Sequence, residues 1–211
     1  MLIHPACIKA CGGVHDKKML GIKIKNRPYD FIYSDSLPKT GYTEISIPVA
    51  MERIAVTGDY FDIADNHCAA ICCMNIMQLL RQHGKGDVRR HRFGNDFRQI
   101  FTDIHKFIGN GPIVFFKPKF NRFFKSKGSK VRLMPISKLG EIEAAVRDRT
   151  PVALLVNAGI TKWHWILVVG VRKYMNGDIY LNILDGWNKR RDRYLRYTGR
   201  ESFIRALRPV W

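Results

Sequence analysis

Tyr60-Phe-Asp-Ile-Ala-Asp-Asn-His-Cys68-Ala-Ala-Ile-Cys-Cys-Met-Asn-Ile-Met-Gln-Leu-Leu80 is the stretch on which the reading of this chain turns. A polar loop ends at Cys68, and from there Ala69, Ala70, Ile71, Met74, Ile76, Met77, Leu79 and Leu80 leave hardly any polar face until Arg81, Gln82 and His83. That pattern predicts a helix buried nearly all round, stopped by Gly84. Cys72 and Cys73 lie inside it and read as inert small hydrophobes. Cys68 differs because it opens the first turn, where unpaired backbone N–H groups and the positive end of the dipole favour a thiolate. It is the candidate nucleophile.

A thiol nucleophile needs a group that takes up and returns a proton, and imidazole suits that task near neutral pH. Of the seven histidines, His83, His91 and His105 fall in polar stretches or on turns. His164 instead opens the most apolar strand of the chain, Trp163-His-Trp-Ile-Leu-Val-Val-Gly170. A polar ring at the mouth of a buried strand is satisfied by a partner or put to use. Residues 163 to 172 and 178 to 186 form a predicted hairpin around Met175-Asn-Gly177, the favoured Asn-Gly turn. The pairing brings Asp185 toward His164, where an aspartate would fix the ring tautomer and aim it at the sulfur. Asp185-Gly186-Trp187 also reads as a simple turn, with Asn182 and Asn188 as nearby substitutes for the aspartate.

From about residue 60 to 200 the chain resembles the papain-like cysteine peptidases, and within them the double-glycine, bacteriocin-processing leader peptidase domains and their free-standing bacterial relatives. The chain order Cys68, His164, Asp185, the buried helix beginning at the cysteine, and Ser137-Lys-Leu-Gly-Glu-Ile-Glu-Ala-Ala-Val-Arg-Asp-Arg-Thr-Pro151-Val-Ala-Leu-Leu-Val156 carry the resemblance. It implies an α+β fold in which an N-terminal helix bearing the cysteine packs on an antiparallel sheet bearing the histidine and aspartate. It also implies a hydrolase working by acyl transfer on peptide or amide bonds of a peptide or protein substrate, with no cofactor. Those families place a Gln six residues before the cysteine to hold the oxyanion, and here that position is Asp62, whose carboxylate would repel one. Asn66, with the Cys68 backbone N–H, is the other oxyanion candidate. Loop hydrogen bonding is the plainer reading of both residues.

The 211 residues fit one unit with a sizeable core. We divide them into a β-rich extension or cap over residues 1–58 and the peptidase-like domain over 59–211. Leu20 to Lys25, Tyr29 to Tyr33 and Thr43 to Ala50 read as strands in the former. Asn95 is the expected cap of a second helix from Asp96 to Ile108. Five cysteines suit a reducing compartment. The absence of a signal-like N-terminus and of an apolar run long enough to span a bilayer points to a cytoplasmic location, with export by another route left open. No metal is expected: His67, Cys68, Cys72 and Cys73, with the distant Cys7 and Cys11, lack the spacing of a zinc site.

Charge is the other strong feature, at +18 from 36 Lys and Arg against 18 Asp and Glu. Between Phe115 and Arg132 stand Lys117, Lys119, Arg122, Lys125, Lys127, Lys130 and Arg132, with five phenylalanines between them and no acid. Lys189, Arg190, Arg191, Arg193, Arg196 and Arg200 form a second cluster. Basic residues interleaved with aromatics suit single-stranded nucleic acid or another polyanion. The plainer reading is a solvated loop over a local Phe cluster. An alternative function follows, that of a catalytically weak or inactive papain-like protein serving as a basic polyanion-binding module.

Overall fold

The structure, a computed structural model, describes residues 31–157, 163–199 and 202–211. Its centre is helix α1, Cys68–Gln82, in which every residue from Cys68 to Leu80 is buried. Two of those are polar, and one shows how an all-round buried helix tolerates them. Asn75 Oδ1 accepts the Ala55 N–H at 2.8 Å and its Nδ2 donates to the Ala55 carbonyl at 2.9 Å, pinning the segment before the helix across its flank. After the short α2, Arg90–Phe93, come α3, Phe97–Ile108, and α4, Phe116–Ser126. The cap of α3 is Asp96, not Asn95: its carboxylate accepts the N–H groups of Arg98 and Gln99 at 2.8 and 3.1 Å. Ile100, Phe101, Ile104 and Ile108 face the core at helical spacing.

Among the described residues eight strands form one sheet: β1 Ile32–Tyr33, β2 Tyr42–Ser46, β3 Arg132–Ile136, β4 Val152–Asn157, β5 Trp163–Tyr174, β6 Ile179–Leu184, β7 Arg193–Arg196 and β8 Arg205–Val210. All pairings are antiparallel, in the order β1-β7-β6-β5-β4-β8-β3, with β2 against β5. Helix α5, Leu139–Arg147, leads into β4. The molecule is therefore an α+β protein. Residues 42–46, from the segment expected to be an extension, lie in the same sheet as His164. The expected strand at Leu20 to Lys25 lies outside the described residues.

The β5–β6 hairpin turns at Gly177, whose φ is +88°, and the Gly177 N–H closes on the Tyr174 carbonyl at 3.0 Å. Its register shifts by one residue between Val168 and Gly170. Gly170 sits at the irregularity because a Cβ there would stand 3.0 Å from the Asn182 Cβ and 3.2 Å from the Ile45 carbonyl oxygen. Along its other edge β5 serves two neighbours in succession. Its first half pairs with β4, and its second half pairs with β2.

Candidate active site

A chain of contacts joins the first turn of α1 to the ends of β5 and β6. His67 Nε2 lies 3.1 Å from the Thr57 carbonyl, and the Thr57 N–H donates to the Gly186 carbonyl at 2.8 Å. Gly186 in turn backs onto Ile71, whose Cγ2 is 3.4 Å from where a Cβ would be. One turn further along, Cys72 Sγ lies 4.0 Å from the Ile166 carbonyl. Cys68 precedes Cys72 by about 6 Å of helix, and His164 precedes Ile166 by about 6.6 Å of strand. Cys68, His164 and Asp185 thus gather at one end of the sheet, and all three are buried, at 2%, 1% and 2% exposure.

His164 Nε2 lies 2.6 Å from the main-chain carbonyl oxygen of Asp185. A carbonyl only accepts, so Nε2 carries the hydrogen and Nδ1 carries the lone pair. The ring lies against Trp187, with centroids 4.3 Å apart and planes 16° from parallel. Burial pushes the His164 pKa down to about 4, against the smaller upward pull of the Asp185 carbonyl and carboxylate. The imidazole is consequently neutral at pH 7.

The Asp185 carboxylate is also engaged by the turn that follows it. Oδ1 accepts the N–H groups of Trp187 and Asn188 at 2.8 and 3.1 Å, and Oδ2 pairs with the Arg193 guanidinium at 2.6 Å. The strand ends at Leu184, and Gly186, at φ +75°, bends the chain so that the carboxylate curls onto the amides that follow it. The side chain therefore orders the turn that carries Trp187, and the main-chain carbonyl of the same residue accepts from the imidazole, with the carboxylate charge also favouring its protonated form. Asn182 is committed elsewhere, donating to the Arg191 and Arg193 carbonyls, and Asn188 Nδ2 reaches the Asp185 carboxylate at 3.5 Å.

His164 makes stability depend on pH in a defined window. Its pKa is depressed from the ordinary 6.5 to about 4, so between those values the unfolded chain binds the extra proton and the folded chain does not. Stability is complete above about pH 6.5 and falls as pH drops toward 4, by about 3 kcal/mol from this group. Burial lowers the His67 pKa as well and adds in the same direction. Denaturant titrations from pH 7.5 to 4 are expected to show a shallower loss in His164→Gln than in the wild type. Equal slopes would refute the assignment.

Asp62 is exposed and ion-paired with Arg98, which lowers its pKa, chiefly through the side-chain hydrogen bond. Asn66 holds a left-handed backbone, φ +53°, and its carbonyl accepts the Gly111 N–H. The first hydrogen bond of α1 is Ile71 N–H to the His67 carbonyl, so the N–H groups of Cys68, Ala69 and Ala70 precede the helical ladder. Cys72 and Cys73 are fully enclosed, and burial pushes both thiols well above their ordinary pKa. Among the described residues no group of three His, Cys, Asp or Glu side chains is arranged to hold a metal ion. No helix among them is long and apolar enough to cross a membrane.

The segment from Phe115 to Arg132 is largely helical. Phe116, Phe120, Phe123 and Phe124 form the buried stripe of α4, leaving Phe115 exposed. Those four rings pack inward and offer no stacking platform for bases. Lys119 donates to the Ile108 carbonyl at 2.8 Å, and Lys127 pairs with Asp103 at 2.8 Å. Lys117 is half-buried, and Arg122, Lys125, Lys130 and Arg132 are exposed. The C-terminal cluster is largely neutralised by contrast: Lys189 pairs with Asp59, Arg190 with Asp192, Arg193 with Asp185 and Arg196 with Asp178, at 2.6 to 3.0 Å.

Sequence reasoning missed two parts of this site. His67 is fully buried between Phe61 and Phe101 and forms the link through Thr57 to Gly186; its place beside Cys68 was the available signal. Trp187 covers the His164 ring, and its place two residues after Asp185, on the same pleat, would have put it across from His164 in the extended hairpin register. Comparison with models of protein families gives no match, and comparison with curated protein sequences gives none.

Proposed function

We propose that the protein is a thiol acyl-transfer enzyme of papain-like fold, most simply a cysteine peptidase, with Cys68 as nucleophile and His164 as base. One observation carries the reading: a neutral, buried imidazole, fixed as its Nε2–H tautomer under a tryptophan, lies at the same end of the sheet as the cysteine that opens the central helix. In this mechanism His164 Nδ1 takes the Cys68 thiol proton as sulfur bonds to the carbonyl carbon of a peptide or amide. The imidazolium then protonates the leaving nitrogen as the C–N bond breaks, and water resolves the thioester with the imidazole again as base. The first-turn N–H groups of α1 supply oxyanion donors in place of the glutamine that Asp62 replaces.

Exposed Arg122, Lys125, Lys130 and Arg132 have no carboxylate partner among the described residues and support a second, non-catalytic reading, contact with a polyanion. Iodoacetamide alkylation as a function of pH, mapped by peptide, separates the two. Reaction concentrated at Cys68 below the ordinary cysteine pKa, slowed in His164→Ala, is the expected result. Cys72 and Cys73 stay unmodified in the folded protein. A Cys68 that reacts no faster than an ordinary thiol, together with polyanion binding that weakens steeply with salt, would select the second reading.

A further inference from the structure

A groove of about 370 Å³ opens where β3 ends and β8 begins, lined by Lys117, Pro135, Ile136 and the run Ile204 to Leu207. The strand ladder sets the backbone spacing between Arg205 and the start of β5. Arg205 pairs with Leu155, and Leu155 pairs with Trp165. Arg205 is thus two strand spacings, about 10 Å, from the residue next to His164. A single loop ties the two places together: the Ile113 carbonyl accepts the Trp165 indole N–H at 3.0 Å, and the Val114 carbonyl accepts the Arg205 guanidinium at 3.2 Å. Phe116 then packs on Trp165 with ring centroids 4.6 Å apart, and the next residue is Lys117.

Lys117 and Arg205 are the cations of this groove, and neither forms an ion pair with a carboxylate among the described residues. Both sit against apolar walls of Pro135, Ile136 and Leu207, which concentrate their field on whatever enters. Ile204, 40% exposed, adds apolar surface to the same wall. An extended peptide advances about 3.3 Å per residue, so about three residues span the distance to the reacting end of the sheet. From this geometry we infer that the groove is a substrate subsite that accepts an acidic side chain about three residues from the bond attacked. The inference rests on reading Cys68 and His164 as the reacting pair.

The test uses short fluorogenic peptides in which each position in turn carries Asp, Asn or Lys, together with direct binding of the same peptides to Cys68→Ala by fluorescence anisotropy. One position is expected to prefer Asp over Asn by about tenfold, in turnover and in binding. Lys117→Glu, at a half-buried surface site, should shift that position toward Lys, and Arg205→Gln should weaken the Asp preference without reversing it. Turnover with no acidic preference, or a preference unchanged in both variants, overturns the subsite and leaves the peptidase reading standing. Asp-selective binding that depends on Lys117, with no turnover of any peptide, overturns both the subsite and the peptidase reading and leaves an acidic-peptide binding groove.

Discussion

Cys68→Ala and His164→Ala are each expected to lower the turnover of a cleaved peptide on the order of 10⁴-fold or more, and the double variant to lower it scarcely further, because a nucleophile and its base act as a unit. Folding should suffer little from the first. Cys68 is a small side chain at the start of a helix, and alanine fills most of its volume while suiting helical backbone. Thermal unfolding near the wild-type value alongside lost turnover would therefore separate chemistry from stability. His164→Ala is less clean, since it removes the surface on which Trp187 rests, so His164→Gln belongs beside it. A Cys68→Ala protein that retained turnover would exclude the thiol mechanism outright.

Asp185→Ala carries the largest expected cost in stability, about 3 to 5 kcal/mol. It leaves Arg193, whose side chain is only 18% exposed, without its partner and strips the acceptor from the Trp187 and Asn188 amides. The informative comparison is with Asp185→Asn. If the carboxylate were the group that oriented the imidazole, its loss would cost on the order of 10⁴-fold in rate. The hydrogen bond to His164 Nε2 instead uses the main-chain carbonyl, which asparagine retains. Asparagine also keeps an oxygen for the two amides. Turnover of Asp185→Asn within about tenfold of wild type, with a stability loss near that of breaking the Arg193 pair, is the outcome this geometry predicts. A collapse in rate with stability intact would return the carboxylate to the ring.

How much of this could be read from the chain alone depended on whether side-chain type or main-chain position carried the information. The Cys68 helix was legible because a run with no polar face can be buried only one way, and the hairpin because Asn176-Gly177 suits few other conformations. The identity of the His164 partner was not legible, since a carbonyl belongs to every residue and leaves no mark in the composition. Helix α4 was obscured for another reason. Its phenylalanines at 116, 120, 123 and 124 have helical spacing, but the lysines and arginines between them drew attention to charge, and Pro118 stands in its first turn, where proline is tolerated. The cap of α3 fell one residue from its expected place because Asn95 and Asp96 are both good caps, and only the backbone decides between adjacent ones.

The sharing of one edge of β5 has a consequence for proteolysis. Where β4 ends its pairing near Val168, β2 takes over from Gly170 to Tyr174, and Arg172 clamps it by pairing with Glu44 and lying 4.1 Å over the Tyr42 ring. Residues 42–46 are in effect the chain's own occupant of a docking slot. A protease that severed and released them would turn an interior strand into an open template for foreign β-structure, so the N-terminal segment guards the sheet against recruiting strangers.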